Sequence, residues 1–314
     1  MDGLPSDVDP NWRGTWPRLA DLGVTGFCVP EALGGFGFRV DVAAVAAREF
    51  GAALHAAPFS GLTASAYALS RTFGDAAGEL ARSIAEGTRI CCFGLVGSDT
   101  TVPPHVDGAD AADALVLLDP SGAEVTLLRD AKQWSATPVQ HPFDVSRHSA
   151  SVVVKPGAGE RLAAPPLTGE LYRLLLCADS VGGVERVLEQ TVRYAGERHA
   201  FGRPIGGFQT VQHRLVDHAI RVRGMSLLVT EAADAVQADA QRAPKAVALA
   251  ELSVHTHAPR ILHDLLQLTG AIGFSWEYGL HFYERRAHGN ARLAANPRAA
   301  GESLARAEGW LDAH

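Results

Sequence analysis

The sequence predicts an α+β chain in three parts: an N-terminal helical domain, a small middle β domain and a C-terminal four-helix bundle. Three observations carry this. Up to about residue 88 the apolar residues recur at helical spacing. From about 89 they fall into short apolar runs broken by turns. After Pro165-Pro166 the helical spacing returns in long segments. The expected boundaries are 1–88, 89–164 and 165–314.

In the first part, Trp16, Leu19 and Leu22 share one helical stripe. Val24 to Glu31 reads as a short apolar crossing that ends at Pro30, and Gly34-Gly35-Phe36-Gly37 as a tight loop. An Ala-rich helix is expected from about Val40 to Leu54, and another around Ala64 to Phe73. In the second part, Arg89–Leu95, Ala114–Leu118, Glu124–Leu128 and Ser149–Val154 read as strands. The turn Asp119-Pro120-Ser121-Gly122 makes the middle two a hairpin. In the third part, Val181, Val184, Leu188, Thr191 and Ala195 follow the i, i+3, i+4 pattern. Further helices are expected over residues 208–235, Pro244 to Leu268 and Glu277 to about Arg292. There is no internal repeat and no low-complexity segment.

Composition narrows the function. The chain has 314 residues, 47% hydrophobic and 20% charged, as an ordinary globular protein does. A formal charge of -7 argues against a nucleic-acid partner, which needs a basic face. Asp2, Pro5, Asp7, Asp9 and Pro10 give no basic-then-apolar leader, and no run reaches the ~20 apolar residues of a membrane helix. Cys28, Cys91, Cys92 and Cys177 form no CxxC or metal spacing. The expectation is a cytoplasmic protein with free thiols, no membrane partner and no metal. His255 and His257 lie two apart on a predicted helix, roughly 200° around its axis, and do not share an ion easily. His141, His148 and His263 read as solvated or core-edge residues, and Glu185 and Glu189 as a solvated helix face.

Two local motifs carry chemistry. Arg198 to Gln209 reads R-x-x-F-G-x-x-I-x-x-x-Q, with Arg198, Phe201, Ile205 and Gln209 at the marked positions. Arg198 supplies a forked cation suited to a pyrophosphate, and Phe201 an aromatic surface. Gly202 and Pro204 take the chain out of the preceding helix, and Gln209 stands early in the next. Past one long helical segment comes Gln267-Leu268-Thr269-Gly270-Ala271-Ile272-Gly273-Phe274, whose small residues let backbone approach a dinucleotide closely. An ordinary interhelical turn is the alternative for each motif taken singly.

Together these stretches resemble the two FAD-gripping motifs of the acyl-CoA dehydrogenase family. Ala271 stands where the second Gly of Q-x-x-G-G-x-G-F/Y is usual, and Thr269 where His is frequent. Trp16 to Gly37 also resembles the family's N-terminal part, so the resemblance covers most of the chain. It implies FAD as cofactor, an acyl-CoA thioester as substrate and dehydrogenation at Cα–Cβ. The FAD contacts it carries over are Arg198, Phe201, Ile205, Gln209, Gln267, Leu268, Gly270 and Ala271.

The same resemblance marks what is missing. A carboxylate must take the α-proton, which is only weakly acidic beside a thioester. The family places that glutamate about 27 residues after the Gln of the glycine loop, near Ala294 here, or on the helix before the Arg motif, at about Tyr172. Neither is an acid. Glu170, two residues from Tyr172 and about 200° around the helix, is the weak candidate. The segment that should cradle the flavin ring, Phe93 to Thr100, is abridged, with Thr100 and Thr101 as candidate remnants.

Family members hold each FAD at a subunit boundary, where the Arg motif and glycine loop reach the neighbour's flavin. This chain keeps the residues it lends and lacks those it uses itself. It thus resembles the smaller subunit of heteromeric (α2β2) actinobacterial acyl-CoA dehydrogenases, associated with steroid-derived and other bulky acyl groups. The implied partner is a larger acyl-CoA dehydrogenase subunit that carries the base. The alternatives are a self-sufficient homo-oligomeric flavoenzyme with a displaced base (Glu170 or Glu284), a non-catalytic scaffold subunit, and a flavin monooxygenase.

Overall fold

The computed structural model describes residues 12–72, 75–99, 101–140, 142–294 and 297–311. The expectations for residues 1–11, Phe73, Thr100 and His141 lie outside these. Four helices come first: α1 (Trp12–Asp21), α2 (Val40–Ala52), α3 (Phe59–Arg71) and α4 (Asp75–Ala85). Trp12 and Trp16 anchor α1, edge to face at 6.0 Å, but Leu22 lies beyond the helix and is 74% exposed. Gly23 ends α1 at φ 75, and the expected apolar crossing is instead a single 3-10 turn, Val24–Gly26. The N-terminus of α2 has no side-chain cap of its own; Gln237, far along the chain, accepts the Val40 N–H at 2.8 Å.

Among the described residues the strands of the middle part form two sheets. The first has the order β1 (Cys91–Leu95), β3 (Ala114–Leu118), β4 (Glu124–Leu128), β7 (Glu160–Ala163), with β1 and β3 parallel. The second is antiparallel, in the order β2 (His105–Asp107), β6 (Ser149–Val154), β5 (Trp134–Pro138). The expected hairpin is present: Leu118 pairs Val125, and Asp119 accepts the Glu124 N–H at 2.9 Å. Three strands of the middle part were not expected. β2 is three residues long, β5 ends at Pro138, and β7 opens on Glu160-Arg161.

The C-terminal part begins with α5 (Thr168–Glu197), the small hairpin β8 (His199–Ala200) and β9 (Arg203–Pro204), then α6 (Gln209–Ala238), α7 (Ala243–Thr269) and α8 (Leu280–Ala294). A fifth helix, α9 (Pro297–Ala307), adds to the four expected and packs on α7. At the crossing of α2 and α5, a Cβ on Gly51 would stand 1.8 Å from the Asp179 carbonyl oxygen. One on Gly182 would stand 1.9 Å from that of Arg48, so only glycine permits this approach. Beside it, Arg48 pairs with Glu185 at 2.7 Å, so Glu185 bridges two helices rather than decorating a solvated face.

A buried charge network joins all three parts. Arg286 of α8 donates to Asp179 of α5 at 2.9 and 2.6 Å and to the His55 carbonyl at 3.0 Å. Arg147 donates to Asp107 of β2 at 2.5 Å and to Asn290 at 2.7 Å. Asn290 in turn donates to Asp179 at 2.7 Å and Ser180 at 2.9 Å. Burial works to raise the Asp179 carboxyl, but Arg286 and Arg147 outweigh it and hold the group below its usual range. The four cysteines are buried and unpaired. Among the described residues no helix is long and apolar enough to cross a membrane, and no metal-binding cluster occurs.

Candidate functional site

The two motifs meet at one end of the bundle. α5 stops at Glu197, and the chain turns back through β8 and β9, with His199 opposite Pro204 and Ala200 opposite Arg203. Phe201 and Gly202 form the tip at φ 52 and φ 79. Left-handed backbone is ordinary for glycine and unfavourable for phenylalanine. The Phe201 ring is 96% exposed. The Ile205 N–H closes the loop on the Arg198 carbonyl at 2.7 Å. Arg203 lies 4.1 Å over the Phe208 ring, and Gln209 is the first residue of α6. Arg198 is exposed and has no side-chain ion pair or hydrogen bond among the described residues.

α7 ends at Thr269, and Gly270 takes φ 69 into a 3-10 turn, Gly270–Phe274. Ala271 has no positive φ, so its methyl stands without backbone strain where the family has glycine. Gly273 has no such freedom: a Cβ there would fall 2.0 Å from the Thr269 hydroxyl. Gln267, Gly270 and Ala271 are exposed, while Leu268 packs against the core. The neighbouring Ile272, Phe274 and Trp276 leave much of their apolar surface in solvent.

Two contacts hold these motifs side by side. Asp264, one turn before Gln267, accepts from Arg214 and, at 2.5 Å, pairs with His218, both near the start of α6. Tyr278, past the glycine turn, packs on Tyr194 in the last turn of α5, 6.3 Å between rings. The eight expected FAD-contact residues therefore share one end of the bundle. An unpaired arginine, two exposed amides, an exposed aromatic ring and close-approach glycine backbone fit a dinucleotide pyrophosphate and its flanking groups.

At the opposite end lies a cavity of about 1070 Å³ between the β strands and the bundle. The starts of α5 and α7, the end of α8 and α9 form one wall, and residues 95–99 and 102–105 another. Glu170 and Ala294 both line it. Tyr172 does not: it is fully buried, 4.9 Å from the Phe93 ring, where burial pushes its phenol up. The carboxylate nearest the expected base position on α5 is thus the one that faces the cavity. Glu284 is elsewhere, 3.3 Å from His263. Thr101 is exposed and bonded to Asp99 at 2.6 Å.

One cavity acid was not expected from the sequence. Glu251 of α7 is 4% exposed, and burial pushes its carboxyl up to about 7. Its neighbour across the interface is Arg173 of α5, at 3.9 Å. A helical sequence shows which residues share a face, not which acid a packed neighbour will bury.

The chain is similar to known proteins over most of its length. Residues 167–294 match the model of the family described as "Acyl-CoA dehydrogenase, C-terminal domain". The chain is 32% identical to acyl-CoA dehydrogenase IpdE2 of Mycolicibacterium smegmatis over 96% of its own length and 88% of the relative's. With IpdE2 of Mycobacterium tuberculosis the identity is 34%, over 90% and 83%. Among solved structures, the ChsE4-ChsE5 complex from Mycobacterium tuberculosis superposes with a TM-score of 0.81 at 27% identity, covering 96% of this chain and 89% of that one.

Proposed function

The chain belongs to the acyl-CoA dehydrogenase family, and from that membership we propose that it is the smaller, complementing subunit of an FAD-dependent acyl-CoA dehydrogenase. In this reading it lends its motif end to the flavin site of a larger partner, which supplies the base. The substrate is an acyl-CoA oxidised at Cα–Cβ, of the steroid-derived or other bulky class. The named assembly of the similar ChsE4-ChsE5 complex supports a partner of the same family.

The observation that carries the reading is a distance along one helix. Glu170 stands in the first turn of α5 and Arg198 follows its last residue. At 1.5 Å per residue they stand about 40 Å apart. That is farther than one extended FAD reaches. In this reading the motif end and this chain's cavity serve different molecules, and a flavin gripped by Arg198 lies against another subunit. When bound, FAD supplies the hydride acceptor. This chain's residues grip it: Arg198 on the pyrophosphate, Gln209 and Gln267 as amide partners, Gly270 and Ala271 as close backbone, Phe201 and Ile205 as apolar cover.

Absorbance spectra test this. The chain purified alone should be colourless, and co-purified with the larger subunit it should be yellow. Arg198→Ala in the complex should weaken FAD binding about ten- to hundredfold, the worth of a charge-assisted contact. Stoichiometric FAD on the lone chain would reject the proposal. The exposure of Glu170 to the cavity favours a second reading, a self-sufficient enzyme. Glu170→Gln separates the two: flavin bleaching by an acyl-CoA survives if the partner holds the base, and is lost, with FAD still bound, if this chain does.

A further inference from the structure

α6 buries only one of its sides. Val222, Met225, Val229 and Val236 pack inward, while Val216, Ile220 and Leu227 each leave more than half of their surface in solvent. At helical spacing these three share one narrow outer stripe. A single exposed apolar residue is ordinary, but a row of them along a helix marks a docking face. Gly224 lies in the same stripe, one turn after Ile220. Glycine inside a helix is unfavourable relative to alanine. Nothing in this chain requires it here, because a Cβ on Gly224 would meet no atom within 4 Å. Bare backbone on an outer helix face suits close approach by another chain.

The charges of this face identify its occupant. Asp217 stands three residues before Ile220 and Arg223 three after. Both are exposed, and neither makes an ion pair or hydrogen bond among the described residues. Residues three apart form a row across the helix surface, inclined about 45° to the axis. The row Asp217, Ile220, Arg223 is complementary to itself. Laid antiparallel on its own copy, it sets Ile220 against Ile220 and each Asp217 against the other copy's Arg223. A two-fold axis through the middle of the row does this, and one patch then meets itself. The inclination of the rows makes the two helices cross at about 90°. On the other diagonal of the crossing Val216 meets Val216, and Gly224 meets Gly224, where the backbones can close.

We propose that two copies of this chain associate through α6, crossing at Ile220, with Asp217 and Arg223 paired reciprocally between the copies. An unrelated partner helix would need an acid and an arginine of its own in the reverse order; a second copy supplies both by symmetry. The proposal does not rest on the reading of the flavin site. Ile220 lies eleven residues past Gln209, about 16 Å along the helix. A copy seated there leaves the motif end open to a larger subunit.

Disulfide cross-linking of the full-length chain tests it. The four native cysteines are buried, so an introduced surface cysteine is the one that oxidises. Ile220→Cys places one thiol on the two-fold axis, beside its own copy. With copper–phenanthroline it should give a linked dimer about tenfold or more faster than Val192→Cys, whose thiol on α5 is also exposed but lies off the contact. On the Ile220→Cys background, Asp217→Arg sets arginine against arginine. Each contact occurs twice, so the cross-link should slow about tenfold. Adding Arg223→Asp restores the opposite charges and should recover the rate. A rate for Ile220→Cys no higher than for Val192→Cys overturns the proposal. So does a charge reversal without effect, or a double reversal that recovers nothing. Loss of the cross-link when the larger subunit is added would give this face to that partner and overturn it as well. The flavin spectrum of the same preparations reports separately on the complementing-subunit reading.

Discussion

Phe201 combines two costs, a left-handed backbone at φ 52 and a ring 96% exposed. A non-glycine residue in that conformation costs roughly 1–2 kcal/mol, and strain of this kind persists where function uses it. Phe201→Gly should therefore leave the melting temperature of the lone chain unchanged or higher, while flavin retention in the complex falls. A lower melting temperature with unchanged flavin content would show the ring to be a local structural prop. Glu251 gives a second residue-scale expectation. Its carboxyl titrates at about 7 in the fold, against about 4.5 when unfolded. Stability from the neutral form is thus fully present below about 4.5 and is lost as pH rises through 7. Glu251→Gln removes that loss. Its stability relative to wild type should improve by on the order of 2–3 kcal/mol between about pH 5 and pH 8, read by denaturant titration at both. The residues of the two motifs were legible because their spacing is local. Arg173 and Glu251 were not, because they meet only when α5 packs on α7.

At the scale of elements, the FAD-contact end depends on α6 and α7 staying in register. Asp264 does this by binding Arg214 and His218 together. Burial raises the Asp264 carboxyl, but these two partners outweigh it and leave the group below its usual range. Its contribution is present above the unfolded carboxylate range and fades as pH falls through the folded value. Asp264→Asn should lower the melting temperature at neutral pH, with the difference shrinking in acid, and should weaken flavin binding although no motif residue is touched. Thermal melts at two pH values with flavin content alongside check it. The long helices of the bundle were readable from their apolar period. β2, β5 and β7 were not: short, polar or edge strands are specified by the neighbour they pair with more than by their own residues. The Val24–Gly26 turn was read as a crossing because an apolar run of that length has no period to distinguish the two.

Across the whole molecule, the buried network around Asp179 ties the N-terminal helices, the β strands and the bundle into one unit. Removing one partner leaves two arginines, Arg147 and Arg286, buried and undercompensated. Asp179→Ala should cost about 3–5 kcal/mol, and the loss should register in one cooperative transition. A melt that splits, with the β strands unfolding apart from the bundle, would show that the network does not couple them. The order of parts was legible in the sequence; this coupling was not, since it draws on Asp107, Arg147, Asp179, Arg286 and Asn290 from four separate stretches.

The span of α5 has a consequence that can be counted. A chain that grips a flavin only at the far end of that helix adds no flavin of its own to an assembly. In the proposed heteromer the number of FAD molecules then equals the number of larger subunits. An assembly of two chains of each kind should carry two flavins rather than four, and adding excess FAD should not raise that count.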